Sequence, residues 1–147
     1  MSSPHRTMRR GGLLAVAVVA AIALVGCLNP TQQRSYDLLN NTRVQNGRRK
    51  LNGHELAQRK AQAWAEKMAR EQRMYHSNLT DGMGNCWRSL GENVGYATTI
   101  QGVHDLWWSS APHKKNILDT KWNGVGVGVA KASNGYYYLA HVFVQTC

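Results

Sequence analysis

The sequence predicts an α+β domain in which helices precede, interrupt and flank a small sheet. Small and apolar residues recur at i, i+4, i+7, i+8 and i+11 over residues 57–68, which is the spacing of one helix face. Residues 124–130 alternate glycine with valine, and Asn134-Gly135, a pair typical of hairpin turns, follows them. The aromatic and β-branched run 136–145 then completes a predicted hairpin.

Two helices are predicted in the first half of this domain. The first covers about residues 32–46 and ends at Gly47, because glycine readily takes the left-handed conformation that closes a helix. The second covers about residues 54–73, and its charged residues fall outside the apolar stripe. A loop rich in turn-forming residues, 76–90, follows the second helix.

A strand and a third helix are predicted between that loop and the hairpin. The strand covers residues 91–97, where alternate residues suit a sheet although the carboxylate of Glu92 stands near its start. The third helix has apolar residues at helical spacing over 100–107, and one of the two threonines before it is the predicted cap. Pro112 ends this helix, and residues 113–118 are predicted to form one further turn.

The N-terminal segment has the features of a secretory signal. Arginines precede the apolar run 11–26, which at 16 residues is shorter than the roughly 20 needed to span a bilayer. The run ends in Leu-Val-Gly directly before Cys27, which resembles the lipobox of bacterial lipoproteins, a class cleaved before the cysteine and acylated on it. We therefore expect a lipoprotein signal peptide over 1–26, a lipidated Cys27 with a short tether over 27–31, and the folded domain over 32–147. An ordinary signal peptide with an unrelated cysteine, or an uncleaved anchor, is the alternative.

The lipobox interpretation predicts a location on the outer face of the bacterial cell membrane, or secretion, with the acyl group on Cys27 as the membrane contact. The chain after residue 26 keeps 15 Lys and Arg residues and all eight acids, a net charge of +7. Export argues against nucleic acid as a partner. Anionic lipid headgroups or envelope polymers suit such a charge better, unless the basic surface only aids solubility. We expect a monomer.

Two cysteines remain after Cys27, namely Cys86 and Cys147. In an oxidising compartment such a pair is predicted to form one disulfide, which would tie the last residue to the loop before the strand of Glu92. Two free thiols are the alternative.

Polar residues suited to chemistry collect at the predicted ends of elements, where termini open onto clefts. They are His76, Ser77, Glu92, Ser110 and His113. Two imidazoles can bind zinc, and a nearby carboxylate can accept a hydrogen bond from an imidazole or a proton from metal-bound water. A histidine at a helix end is more often a capping or surface residue. His141, on the last strand, is predicted to be a hydrogen-bonded core residue.

Six blocks of sequence occur together in an order that resembles a known family. They are LLNNTR (38–43), AQAWAEKMA (61–69), HSNL (76–79), GENVGYA (91–97), WWSSAPHKKNIL (107–118) and GVGVGVA…GYYYLAHVFVQ (124–145). Over nearly all of the chain after residue 26, the sequence resembles the CAP superfamily of cysteine-rich secretory proteins, insect venom antigens and plant pathogenesis-related proteins. It is most similar to the bacterial SCP-like branch.

The resemblance implies a three-layer α-β-α sandwich with a small, mostly antiparallel sheet and a cleft lined by His76, Glu92 and His113. Animal and plant members have a second glutamate before the second histidine. Ser110 stands in that place here, as is common in the bacterial branch, and this puts any mechanism that needs two carboxylates in doubt. Glu92 either acts in the cleft or only braces the two histidines.

Residues and resemblance together leave three functions open. The first is a non-enzymatic module that binds a lipid or cell-envelope ligand, with a cleft that can hold zinc between His76 and His113. The second is a zinc-assisted, protease-like hydrolase in which Glu92 is the catalytic base. The third is a structural envelope protein. We favour binding, because a third protein ligand for zinc is not evident; zinc is the only cofactor the sequence suggests.

Overall fold

The structure, a computed structural model, describes residues 27–147. These residues form four helices and four strands, with the following bounds: α1 (Pro30–Gln45), β1 (Asn52–Gly53), α2 (Glu55–Glu71), β2 (Trp87–Ala97), α3 (Ile100–Ser109), α4 (Ala111–Leu118), β3 (Gly124–Lys131) and β4 (Tyr137–Thr146). The predicted signal peptide, residues 1–26, lies outside the described residues. Among the helices of 27–147, none has the length and apolar character needed to cross a bilayer.

The four strands form one sheet in the order β1-β3-β4-β2. The pairs β3–β4 and β4–β2 are antiparallel, and the two residues of β1 pair with β3 in parallel. The mostly antiparallel sheet is therefore confirmed. Glu92 on β2 lies opposite Val142 on β4, which lies opposite Gly126 on β3. This register sets the position of the candidate site along the sheet.

Helices cover both faces of the sheet, which confirms the three-layer α-β-α sandwich. One face packs against α2, with Ala57, Ala61 and Met68 buried against Val94, Val142 and other residues of the sheet. The other face packs against α1, α3 and α4, through Leu39, Val103, Trp107 and Ile117. Alternate residues of each strand therefore serve two separate cores.

Glycines in β3 allow α2 to approach the sheet closely. A Cβ atom on Gly126 would lie 2.0 Å from the carbonyl carbon of Ala57, and one on Gly128 would lie 2.0 Å from the carbonyl oxygen of Ala61. No side chain fits at either position unless the helix backbone moves. The alternating glycines suggest tight packing of the sheet against bulky neighbours, and the close neighbour is the backbone of α2.

Side-chain amides of α2 pair with the outer edge of β3. Gln58 accepts from the N–H of Val127 (2.8 Å) and donates to its carbonyl (2.7 Å), and Gln62 does the same for Val129 (3.0 and 3.1 Å). Residues four apart on a helix rise about 6 Å, close to the roughly 6.6 Å between alternate residues of a strand. The two glutamines thus satisfy backbone N–H and C=O groups of β3 that a longer β1 would otherwise pair with.

The two-residue strand β1 is not among the predicted elements, α2 ends two residues earlier than predicted, and three other boundaries differ for identifiable reasons. α1 begins at Pro30 inside the predicted tether, because Asn29 caps it. β2 begins at Trp87 inside the predicted loop, because Trp87 pairs with Thr146 at the end of β4. Pro112 lies in the first turn of α4, where its missing N–H costs nothing, so α4 is a helix of eight residues rather than one turn.

Candidate functional site

The predicted site residues lie along β2, the edge strand of the sheet, and come from both helical layers. Glu92 shares its side of β2 with Val94, which packs in the α2 core. His76 follows the end of α2 on that side. Ser110 and His113 belong to the start of α4, in the opposite layer. The site therefore spans the edge of the sheet.

Glu92 holds the segment that follows α2. One carboxylate oxygen, Oε1, lies 2.8 Å from Nδ1 of His76 and accepts the backbone N–H of Ser77 at 2.9 Å. The other, Oε2, accepts the hydroxyl of Ser77 at 2.6 Å. The carboxylate side chain is only 1% exposed. Because a carboxylate accepts and does not donate, the bond to His76 places the proton on Nδ1 and leaves Nε2 as the free acceptor of that ring.

His113 makes a comparable contact on the other side of the edge. Its Nδ1 lies 2.9 Å from the hydroxyl of Ser110, the first residue before α4, whose side chain makes no bond to the helix N–H groups. Burial lowers the pKa of His113, and the neighbouring imidazole of His76, which would repel a second charge, lowers it further. A neutral imidazole is the form that binds a metal ion or accepts a hydrogen bond.

Two asparagines join the halves of the site. Asn93, fully buried, donates to the carbonyl of His113 at 3.0 Å. Asn116 donates to the side-chain oxygen of Asn93 at 2.9 Å and to the carbonyl of Glu92 at 3.3 Å. Asn116 is not among the predicted site residues, although its spacing of three residues from His113 puts both on one side of α4. These bonds fix α4 against β2 at the level of Glu92.

Lys60 fixes the loop beyond Ser77 from the side of α2. Its ammonium donates to the carbonyls of Asn78 (2.6 Å) and Asp81 (2.9 Å). Burial lowers the pKa of Lys60, and the negative charges of Glu92 and Asp81 oppose that shift. Lys60 is one of the charged residues that fall outside the apolar stripe of the second helix. Its role could not be predicted, since only the fold brings that loop to it.

The other singled-out residues lie outside the site. His141 is buried in the core with Nε2 2.8 Å from the hydroxyl of Ser35, as predicted. The predicted disulfide between Cys86 and Cys147 is present. Cys27 is a free, exposed cysteine, and its predicted acylation remains a prediction.

The donor set limits what metal the site can hold. Within residues 27–147, no group of three or more His, Cys, Asp or Glu side chains is arranged to bind a metal ion. His76 and His113 each use Nδ1 for a protein oxygen, which is the usual outer contact of a metal-binding imidazole. The residues thus fit two zinc ligands, fewer than a structural or catalytic zinc site has.

The fold and the site define a class of protein: a small α-β-α sandwich whose edge strand carries a buried glutamate between two histidine-bearing segments. The chain belongs to the CAP family, because the family model described as the cysteine-rich secretory protein family matches residues 36–147. No curated protein matches the chain significantly.

Several solved structures share the fold at low sequence identity. An outer surface protein from Borrelia burgdorferi is 14% identical with a TM-score of 0.71, covering 78% of this chain and 92% of that one. Venom allergen-like protein 4 from Schistosoma mansoni is 18% identical with a TM-score of 0.66, covering 82% and 91%. An extracellular protein containing an SCP domain from Bacillus anthracis is 23% identical with a TM-score of 0.65, covering 82% of this chain but only 45% of that one.

Proposed function

We propose that the protein is a lipid-anchored, non-enzymatic binding module on the outer side of the bacterial cell membrane, with a metal or ligand held at His76 and His113. The observation that carries this proposal is the use of Nδ1 by both imidazoles, in contact with Glu92 and Ser110. Each ring then has Nε2 left for an outside partner. His76 is 63% exposed, so a ligand reaches it from solvent.

Binding fits the state of Glu92 better than catalysis does. A general base needs a lone pair directed at the proton it removes. The carboxylate of Glu92 already accepts three hydrogen bonds from His76 and Ser77 and is nearly closed to solvent. Three of its roughly four acceptor positions are occupied, and its low exposure leaves little room for a water molecule between the carboxylate and a bound metal. Bracing of the histidine is therefore the role that its contacts support.

The ligand class that we propose is a lipid or a polymer of the cell envelope. The net charge of +7 after residue 26 favours anionic partners. Two structural relatives are named as an outer surface protein and an extracellular protein, which agrees with a domain that works outside the cell. A purely structural role in the envelope is the remaining alternative, and it predicts no saturable ligand.

A zinc titration followed by calorimetry tests the site. Residues 28–147 are compared with the His76→Ala/His113→Ala double variant and with a His54→Gln variant, which removes a histidine that caps α2 instead. We expect one zinc per chain, bound more weakly than at three-ligand sites, unchanged in the His54 variant and absent in the double variant. Equal binding by the double variant, or none by the folded wild type, would remove the metal from the proposal.

A screen for hydrolytic activity distinguishes the binding module from the alternative, a zinc-assisted hydrolase. If the site were catalytic, Glu92→Gln would keep zinc binding and abolish turnover of peptides, esters or glycans. We expect no turnover by the wild type. Zinc-dependent turnover that Glu92→Gln abolishes would favour the hydrolase instead.

The anchor is tested separately by mass spectrometry of the full chain made in a bacterial host. We expect the membrane fraction to hold a chain beginning at Cys27 with acyl groups on it, and the Cys27→Ala variant to lack them. A mature chain that begins elsewhere would refute the anchor and leave the site unaffected.

A further inference from the structure

The segment that connects Cys27 to the folded domain is very short. Asn29 accepts the N–H groups of Thr31 (3.0 Å) and Gln32 (2.9 Å), while the side chain of Gln32 accepts the N–H of Asn29 (2.9 Å). This reciprocal cap fixes Asn29 at the start of α1. Only Cys27 and Leu28 precede it among the described residues, and two residues reach at most about 7 Å.

The same cap is bonded to one edge of the sheet. Gln32 donates to the side-chain oxygen of Gln62 at 2.7 Å, and Gln62 pairs with the backbone of Val129 on β3. Cys27 and Leu28 share a surface hollow with side chains of α2 on this side. We call the exposed surface formed by Cys27, Leu28, Arg59, Ala63 and Glu66 the anchor face. Its two charged residues carry opposite signs, so it does not repel a bilayer.

The candidate site lies at the opposite edge of the sheet. The anchor face adjoins β3, whereas Glu92 belongs to β2, and β4 separates the two strands. Two strand spacings put about 10 Å between these strands. Ala57, Ala61 and Met68 pack against the sheet, so Arg59, Ala63 and Glu66 lie on the outer side of α2. At the β2 edge the carbonyls of Glu92 and Val94 accept bonds from Asn116 and Trp107, so this edge belongs to the site.

We infer that the anchor face lies against the membrane, which leaves the site of His76, Glu92 and His113 clear of the bilayer at the other edge of the sheet. The inference rests on the proposed acylation of Cys27, since an acyl group within about 7 Å of Asn29 keeps the anchor face beside the bilayer. It also narrows the class of the proposed ligand, because a site held clear of the bilayer takes its partner from the envelope rather than from the membrane beneath it. The partner class is then an envelope polymer.

Two matched carboxylates report the orientation. Glu66 lies on the anchor face and Asp105 on α3, near the β2 edge. Each accepts one bond of 2.9 Å from a glutamine four residues earlier, Gln62 and Gln101 respectively. Because both are exposed on helices and similarly bonded, a difference in their reaction rates reports what covers them rather than their local chemistry.

The experiment is carbodiimide labelling of the mature acylated protein in vesicles of phosphatidylethanolamine and phosphatidylglycerol, read by mass spectrometry. A matched variant carries a Gly/Ser linker of about 20 residues between Cys27 and Leu28, with a root-mean-square span of roughly 25 Å. We expect Glu66 to react several-fold more slowly in the wild type than in the linker variant, and Asp105 to react equally in both.

Equal labelling of Glu66 in the two proteins, or selective protection of Asp105, would overturn the orientation. Failure of the anchor is a separate result, visible as missing acyl mass on Cys27. In that case the same comparison is made after coupling the thiol of Cys27 to a maleimide lipid. The orientation is thus tested whether or not the host acylates the chain.

Discussion

At the scale of single residues, Glu92 shows how a carboxylate can be buried in a strand of the sheet. Burying a carboxylate is unfavourable unless its oxygens are hydrogen-bonded. The turn after α2 supplies three donors from His76 and Ser77. The residue that looks out of place in the strand is therefore what attaches the loop of His76 to the sheet.

Replacing Glu92 with glutamine tests this role through stability. The amide keeps the shape of the side chain but turns one acceptor into a donor that faces another donor. We expect the free energy of unfolding to fall by about 1–3 kcal/mol, measured by urea denaturation. Glu55→Gln is the control, because this side chain is 82% exposed, and it should change stability by less than about 0.5 kcal/mol. Equal effects of the two substitutions would contradict the bracing role.

Acid sensitivity is expected from His141. Burial lowers its pKa from 6.5 to about 3, with a smaller contribution from the charge of His104. The folded protein keeps this imidazole neutral where the unfolded chain takes up a proton. Stability is therefore complete above about pH 6.5 and falls as the pH drops from there towards about 3, by about 1.4 kcal/mol per pH unit.

Urea unfolding at about pH 7 and about pH 5 measures this slope. His141→Gln, which cannot titrate, should be less stable at the higher pH but should lose less on acidification. His104 and His113, whose pKa values burial also lowers, contribute the slope that remains. An unchanged slope in the variant would show that His141 is not the group responsible.

At the scale of elements, both edges of the sheet are closed by side chains of helices. Gln58 and Gln62 pair with β3, and Asn116 and Trp107 bond carbonyls of β2. An open edge strand is a template for aggregation. Helices that donate amide or indole N–H groups remove that hazard without an additional strand.

The helices and the hairpin could be predicted because their signals are local. The apolar spacing of α2 and the Asn134-Gly135 turn each depend on neighbouring residues. What could not be predicted depends on partners distant in sequence. The first residues of β2 form a strand because they pair with β4 near Thr146. Lys60 has its role because the fold brings the carbonyl of Asn78 to it. The site histidines could be selected from their places at predicted element ends and from the resemblance to a family, whereas Asn116, which joins them through Asn93, could not.

Gly126→Ala tests the close contact between α2 and β3. The added methyl group would lie 2.0 Å from the backbone of Ala57, so the helix must move away from the sheet and its glutamine bonds to β3 must lengthen. We expect a loss of at least about 3 kcal/mol in the free energy of unfolding. Gly53→Ala is the matched strand control, because nothing lies within 4 Å of the added atom there. A Gly126 variant as stable as this control would refute the contact.

At the scale of the whole molecule, the disulfide joins the last residue of the chain to the start of β2. Cys86 precedes the edge strand that carries the site, and Cys147 follows the central strand β4. The covalent bond lies beside the pair Trp87–Thr146, where the register of β2 on β4 shifts. It therefore closes the end of the ladder where backbone pairing is least regular.

Removing the disulfide should cost stability mainly through the unfolded chain. The bond spans 61 residues, and closing a loop of that length removes entropy from the unfolded state worth about 4 kcal/mol. We expect Cys86→Ser/Cys147→Ser to lose about that amount in urea unfolding, and the reduced wild type to match it, whereas Cys27→Ser should unfold like the oxidised wild type.

A loss below about 1 kcal/mol would mean that the unfolded chain keeps β2 and β4 together without the bond. A loss confined to the first residues of β2, seen by hydrogen exchange while the midpoint stays constant, would place the effect in local opening of that strand instead. The expected global loss would mean that the disulfide stabilises the folded domain as a whole, and with it the edge strand that carries Glu92.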